Sequence, residues 1–180
     1  MSKLTGIYDS LAAEYEQHHT TSLPVETKLA ESVVSYLRLT MSSNEILTAL
    51  EVGGGIGTVS FALQELGAAT TMVEISPEMC TYARRRVKQV YCADYLEWIS
   101  PIPGRYTLIV MRALLHLYDR PSANRMLHKA AEMGNYLYVS TSIHPQHEEI
   151  VEDKIGYLKP AARFRVKFTR ESFRVLLAEA

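Results

Sequence analysis

Three carboxylates, a cluster of glycines and one histidine are the residues of this sequence best suited to chemistry. Glu51, Glu74 and Asp94 follow one another at spacings of 23 and 20 positions. After Glu51, in the stretch L-T-A-L-E-V-G-G-G-I-G that starts at Leu47, glycine occupies 53, 54, 55 and 57. Glycine accepts dihedrals that other residues avoid and lets a ligand approach the main chain closely. A carboxylate is acceptor-only, so an acid placed as Glu74 is, at the end of a second strand, can take both hydroxyl donors of a ribose. An imidazole in general can accept a proton from a nucleophilic oxygen or nitrogen near neutral pH, which makes His116 the candidate general base. The alternative for His116 is packing and hydrogen bonding under a strand end. Two phosphate-binding patterns are not met: G-x-G-x-x-G begun at Gly53 needs a glycine where Thr58 stands, and no G-K-[ST] follows the loop.

The periodicity supplies elements to position these groups. Leu47, Ala49, Leu50 and Val52 form a nearly unbroken apolar run, as in a parallel strand covered on both faces. A helix opens at Thr58 and continues to about Leu66, with Gly67 as its C-cap. Thr70–Glu74 reads as the second strand and Val87–Cys92 as the third; between them Ser76 caps a helix whose first position is Pro77. Tyr106–Met111 is the predicted fourth strand, Asp119–Met133 an amphipathic helix, and 135–141 the fifth strand. Upstream, Tyr8–His19 has helical spacing, with Asp9 or Ser10 as its cap, and Pro24 starts a second helix through Leu39. His18 and His19 read as a solvated helix end, and Arg84, Arg85 and Arg86 as a solvated basic face complementing a helix C-terminus. Strands alternating with helices predict an α/β fold: a Rossmann-like, doubly wound, mostly parallel sheet with helices on both faces. In such folds ligands bind beyond the carboxyl ends of the strands.

The pattern E-x-G-x-G-x-G made by Glu51, Gly53, Gly55 and Gly57 resembles the first motif of the class I (Rossmann-like) S-adenosylmethionine (SAM)-dependent methyltransferases. The stretches E-I-S-P-E-M from Glu74 and C-A-D-Y-L from Cys92 resemble that family's next two motifs, and the likeness spans nearly the whole chain. The resemblance implies SAM as cofactor, with the glycine loop beside its methionine part. It implies Glu74 on the ribose, Ile75 and Met79 flanking the adenine, and Asp94 on the exocyclic amino group with Tyr95 beside the ring. It further implies that Arg112 or Ala113 offers backbone contacts to the methionine moiety, and that Tyr15, in a "YD..A..Y" segment, closes a lid over the cofactor. Tyr8 reads as core packing. The "F-D-x-V" pattern of most relatives is replaced here by Tyr106-Thr107. Methyl transfer to a small-molecule O-, N- or C-nucleophile is the implied activity. Two alternatives stay open: a SAM-binding regulatory or assembly subunit, and an NAD-type oxidoreductase with a degenerate fingerprint, which Thr58 disfavours.

The chain has 180 residues and a net charge of −1, which suits one domain and disfavours nucleic acid as a partner. We divide it into N-terminal lid helices (1–45), a cofactor-binding core (46–141) and an acceptor-side segment with a last helix (142–180). Cys80 and Cys92 match no metal or redox spacing, and His144, His147, Glu148 and Glu152 match no zinc pattern, so no metal is expected. No apolar run spans a membrane and no secretion signal is evident, so a cytoplasmic protein is expected. Relatives continue with two antiparallel strands after the helix that 169–180 resembles. Their apparent absence leaves the fifth strand as a bare edge, through which we expect an oligomer to form.

Overall fold

The computed structural model describes residues 3–42, 45–141, 149–153, 163–167 and 176–177. Strands β1 (Thr48–Val52), β2 (Ala69–Glu74), β3 (Gln89–Cys92), β4 (Tyr106–Arg112) and β5 (Gly134–Ser140) form one sheet in the order β3-β2-β1-β4-β5. All four pairings are parallel. The order reverses between β1 and β4, and a crevice at the carboxyl ends of these strands is the expected ligand site. Alternate strand residues go to opposite faces. Leu50, Val52, Ile109 and Met111 pack with Ala123, Met126, Leu127 and Ala130 of helix α4 (Arg120–Met133). On the other face, Ala49, Leu108 and Val110 pack against helix α2 (Thr58–Glu65) and the C-terminal half of helix α1 (Lys3–Arg38). Helix α3 (Pro77–Ala83) packs through Ala83 on Met72 and Val87. The expected doubly wound α/β architecture is therefore present.

Helix α1 departs from expectation. The sequence predicts two helices broken before Pro24; the structure has one 36-residue helix with Pro24 inside it. Proline at an interior position removes one backbone bond at a cost of about 3 kcal/mol. Burial on both sides of the proline offsets that cost: Leu11 and Ala12 before it, Ala30, Val34 and Leu37 after it. His18 and His19 consequently lie mid-helix instead of at a helix end, and His19 Nδ1 lies 3.0 Å from Thr58 Oγ1.

Smaller details follow from the same packing. Gly67 takes φ +86° immediately after the Leu66 cap, and Ser76 caps α3 by accepting from Met79 N. Thr107 exchanges bonds with Thr48 across β1 and β4, at 3.0 and 3.2 Å, at the position where the resemblance predicts an acid. Trp98 and Leu176 are buried in the α4-side core. Strands β6 (Glu149–Asp153) and β7 (Arg163–Lys167) form a separate antiparallel pair, and β7 runs beside the 3₁₀ turn Leu115–Leu117. The start of the expected last helix, and His144, His147 and Glu148, lie outside the described residues. No helix among the described residues is long and apolar enough to cross a membrane.

Candidate functional site

A cavity of about 400 Å³ opens at the carboxyl ends of β1, β2 and β4, and α1 roofs it. That volume lies within the usual range for small-molecule sites. Its floor is the glycine turn between β1 and α2. Gly55 adopts φ +57°, a left-handed conformation, yet a Cβ there would meet nothing within 4 Å. The open space beside Gly55 is the room a ligand needs to lie against the main chain. Gly57 differs. It does not line the cavity, and a Cβ on it would come within 2.7 Å of Val87 Cγ2, so its bareness lets α3 and its following loop pack against α2. Gly53 does line the cavity, beneath the side chain of Leu114.

The three expected acids have three different surroundings. Glu51 is buried, and its Oε2 accepts from Ser60 N at 2.8 Å and Ser60 Oγ at 2.5 Å. The cap residue Gly57 has no side chain, so this strand-borne carboxyl satisfies the first turn of α2 in its place. Burial pushes the Glu51 carboxyl up to about 7, against the lowering effect of the Ser60 bonds. Glu74 joins two elements: Oε2 accepts from Gly55 N at 2.9 Å and Oε1 from Ser76 N at 2.8 Å. Burial raises its pKa, opposed by the backbone N–H groups of Ser76, Gly55 and Ile75. Asp94 uses Oδ1 to accept from Leu96 N at 2.9 Å. Ala93 and Tyr95 line the cavity on either side of it, while Asp94 itself does not. The Tyr95 ring is buried on the α4 side with its hydroxyl 3.9 Å from Met133 Sδ, and Lys129 Nζ sits 4.9 Å from the ring centroid. Ile75 and Met79 line the cavity where β2 passes into α3.

The far wall follows β4. Arg112 closes that strand, and its Nη2 lies 2.6 Å from Glu26 Oε1 of α1. Ala113 then takes φ +50°, a conformation costly for a residue with a Cβ and often found near functional sites. Its N–H donates to Ser140 O at 2.8 Å, which holds the turn. His116 follows in the 3₁₀ turn, buried on the cavity wall, with Nδ1 3.4 Å from Thr141 Oγ1. From above, α1 presents Tyr8, Tyr15, His18, Ser22 and Glu26 at helical intervals. Tyr8 also packs against buried core residues, and its ring centroid lies 6.3 Å from that of Tyr15.

Residues 49–134, the strands, turns and helices just described, match the family model for a methyltransferase domain. Those residues form a methyltransferase domain. Solved structures share its fold at low identity. The sugar N-methyltransferase KedS8 from Streptoalloteichus is 15% identical with a TM-score of 0.67, covering 92% of this chain and 82% of its own. Magnesium protoporphyrin IX methyltransferase from Synechocystis, with bound SAH, is 17% identical with a TM-score of 0.66, covering 98% and 86%. The glycopeptide N-methyltransferase MtfA, complexed with SAM, is 16% identical with a TM-score of 0.61, covering 86% and 82%. No curated protein matches the chain in sequence.

Three groups around this cavity escaped sequence reading. Asp9, expected to cap its own helix, lies inside α1, and its Oδ1 accepts from Ser76 Oγ at 2.5 Å and Glu78 N at 3.1 Å. Arg86, expected on a solvated face, has a side chain only 12% exposed; it donates to Ile56 O at 2.8 Å and pairs with Glu16 at 2.6 Å. It thereby ties α1 to the glycine loop. Glu26 had no expected role, yet it is 5% exposed on the cavity wall. Nothing local marks these residues, because each acts on a partner 30 or more positions away. Only the buried helical stripe of α1 hinted at such docking.

Proposed function

We propose that this methyltransferase transfers the methyl of SAM to a small-molecule acceptor, and that residues 1–180 act as one domain built from a lid, a core and an acceptor-side segment. The observation that carries the reading is the floor of the cavity. Glu74, already bonded to Gly55 and Ser76, keeps lone pairs for a ribose beside an open glycine turn. When bound, SAM supplies an activated methyl on a sulfonium, so the protein's task is placement and exclusion of water.

In this reading Ile75 and Met79 hold the adenine between β2 and α3. Asp94 accepts from its amino group, and Tyr95 borders the ring through its main chain while its side chain anchors to α4. Gly53, Gly55 and Arg112 contact the methionine part. Glu51 and Gly57 act on the cofactor through the loop they hold in shape. Tyr15 brings an aromatic face down from α1 toward the cationic sulfonium, a contact of about 0.5–2 kcal/mol. His116 removes the proton of the acceptor nucleophile.

A small acceptor is supported by the modest size of the roofed cavity and by the net charge of −1. KedS8 and MtfA, which share the fold, are named for sugar and glycopeptide N-methylation. The test is transfer of labelled methyl from SAM into a metabolite extract, followed by the same assay on His116→Ala. Incorporation into metabolites, reduced about 10²-fold or more in the variant, is the expected result. Incorporation only into protein or nucleic acid overturns the small-molecule reading.

We also propose that copies of the chain associate through β5. Among the described residues it is the last strand of the sheet, and Tyr136 and Leu137 on it are exposed.

A further inference from the structure

Glu26 stands out among the buried polar groups. Its Oε1 pairs with Arg112, but its Oε2 is buried and has no hydrogen-bond partner among the described residues. An orphaned carboxylate oxygen costs free energy unless something supplies a donor. Packing alone does not explain it, since Glu26 faces a cavity and not a closed core. Its guanidinium partner is less enclosed: the Arg112 side chain is 35% exposed, and a guanidinium has five N–H donors. The pair therefore presents one unmet acceptor and several spare donors on the same wall.

Its position in the sheet says which part of a ligand it meets. Arg112 ends β4, whereas Glu74 and Ile75 end β2, and β1 runs between these strands. Two strand spacings separate the two ends by about 10 Å. One end offers an acid and apolar side chains suited to a nucleoside, and the other offers opposite charges side by side. Resting on the SAM reading above, we propose that Glu26 and Arg112 together read the zwitterionic amino-acid end of the cofactor. Glu26 Oε2 accepts from the α-ammonium and Arg112 donates to the α-carboxylate. Bound in this way, the four charges alternate in sign, so no net charge is added to a buried wall.

The test compares two ligands that differ in this end. S-adenosylhomocysteine (SAH) carries the amino acid, and 5′-methylthioadenosine lacks it. By titration calorimetry, Glu26→Gln is expected to weaken SAH about tenfold or more while leaving 5′-methylthioadenosine within about twofold, the effect of losing one charge-assisted bond. Equal weakening of both ligands, or of neither, overturns the proposal. Wild-type protein with the deaminated analogue of SAH serves as a control that does not depend on how the variant folds. It is expected to bind about tenfold or more weaker than SAH, and equal binding overturns the proposal. If wild-type protein binds neither SAH nor 5′-methylthioadenosine, the SAM reading itself fails. If it binds both but the substitution does not separate them, only the role of Glu26 fails.

Discussion

Glu51 illustrates how a residue's burial governs its response to pH. Its folded pKa lies above its ordinary value, so the folded state binds more protons than the unfolded state between about pH 4.5 and 7. Its contribution to stability is therefore full below that window and is lost as pH rises through about 7. Urea unfolding at pH 5 and pH 8 should show a fall on going to the higher pH, of up to about 3 kcal/mol from this group. Glu51→Gln, which keeps an acceptor for Ser60, should flatten part of that fall. A second contrast separates two neighbouring glycines. Gly55→Ala takes on the left-handed penalty of about 1–2 kcal/mol without a clash, so the variant should fold and bind SAM more weakly. Gly57→Ala adds a collision with Val87 and should lower the melting temperature more than Gly55→Ala does. Calorimetry and thermal melting on the same pair of proteins check both expectations.

Among the elements, α1 shows where local patterns mislead. A proline after a polar stretch reads as the start of a helix, and the sequence contains no local sign that the helix continues through it. The continuity is tertiary, imposed by apolar residues buried on both sides. Pro24→Ala should restore the missing backbone bond. After allowing for the freedom it returns to the unfolded chain, it should stabilise the protein by about 2 kcal/mol, read as a higher midpoint in chemical denaturation. The core elements were legible for the opposite reason. The β1 and β4 strands are mostly apolar because both faces are covered, and Ser76-Pro77 and Asp119 mark helix starts by capping chemistry within three residues. The glycine loop and the strand-end acids were legible because their spacing is set by the strand–turn–helix unit itself. The pairs Asp9–Ser76, Arg86–Ile56 and Glu26–Arg112 were not, since they join separate units brought together only by the completed fold.

For the whole molecule, β5 forms one margin of the sheet and β3 the other. Arg105 fixes the junction of α4 and β5 by donating to Glu132 O and Ala131 O and to the Asn135 side chain, yet Tyr136 and Leu137 beyond it stay exposed. If β5 is an interface, sedimentation velocity should show concentration-dependent association, and Leu137→Lys should shift the protein toward monomer. A single unchanging monomer peak at high concentration argues against the interface.

Helix α1 lines the cavity from Leu4 to Glu26 and is fastened along the way by Asp9 to α3 and by Glu16 to Arg86. If whatever binds beneath it leaves only when those fastenings part, release is predicted to be slower than methyl transfer, and stopped-flow mixing should reveal an initial burst of product followed by a slower linear phase.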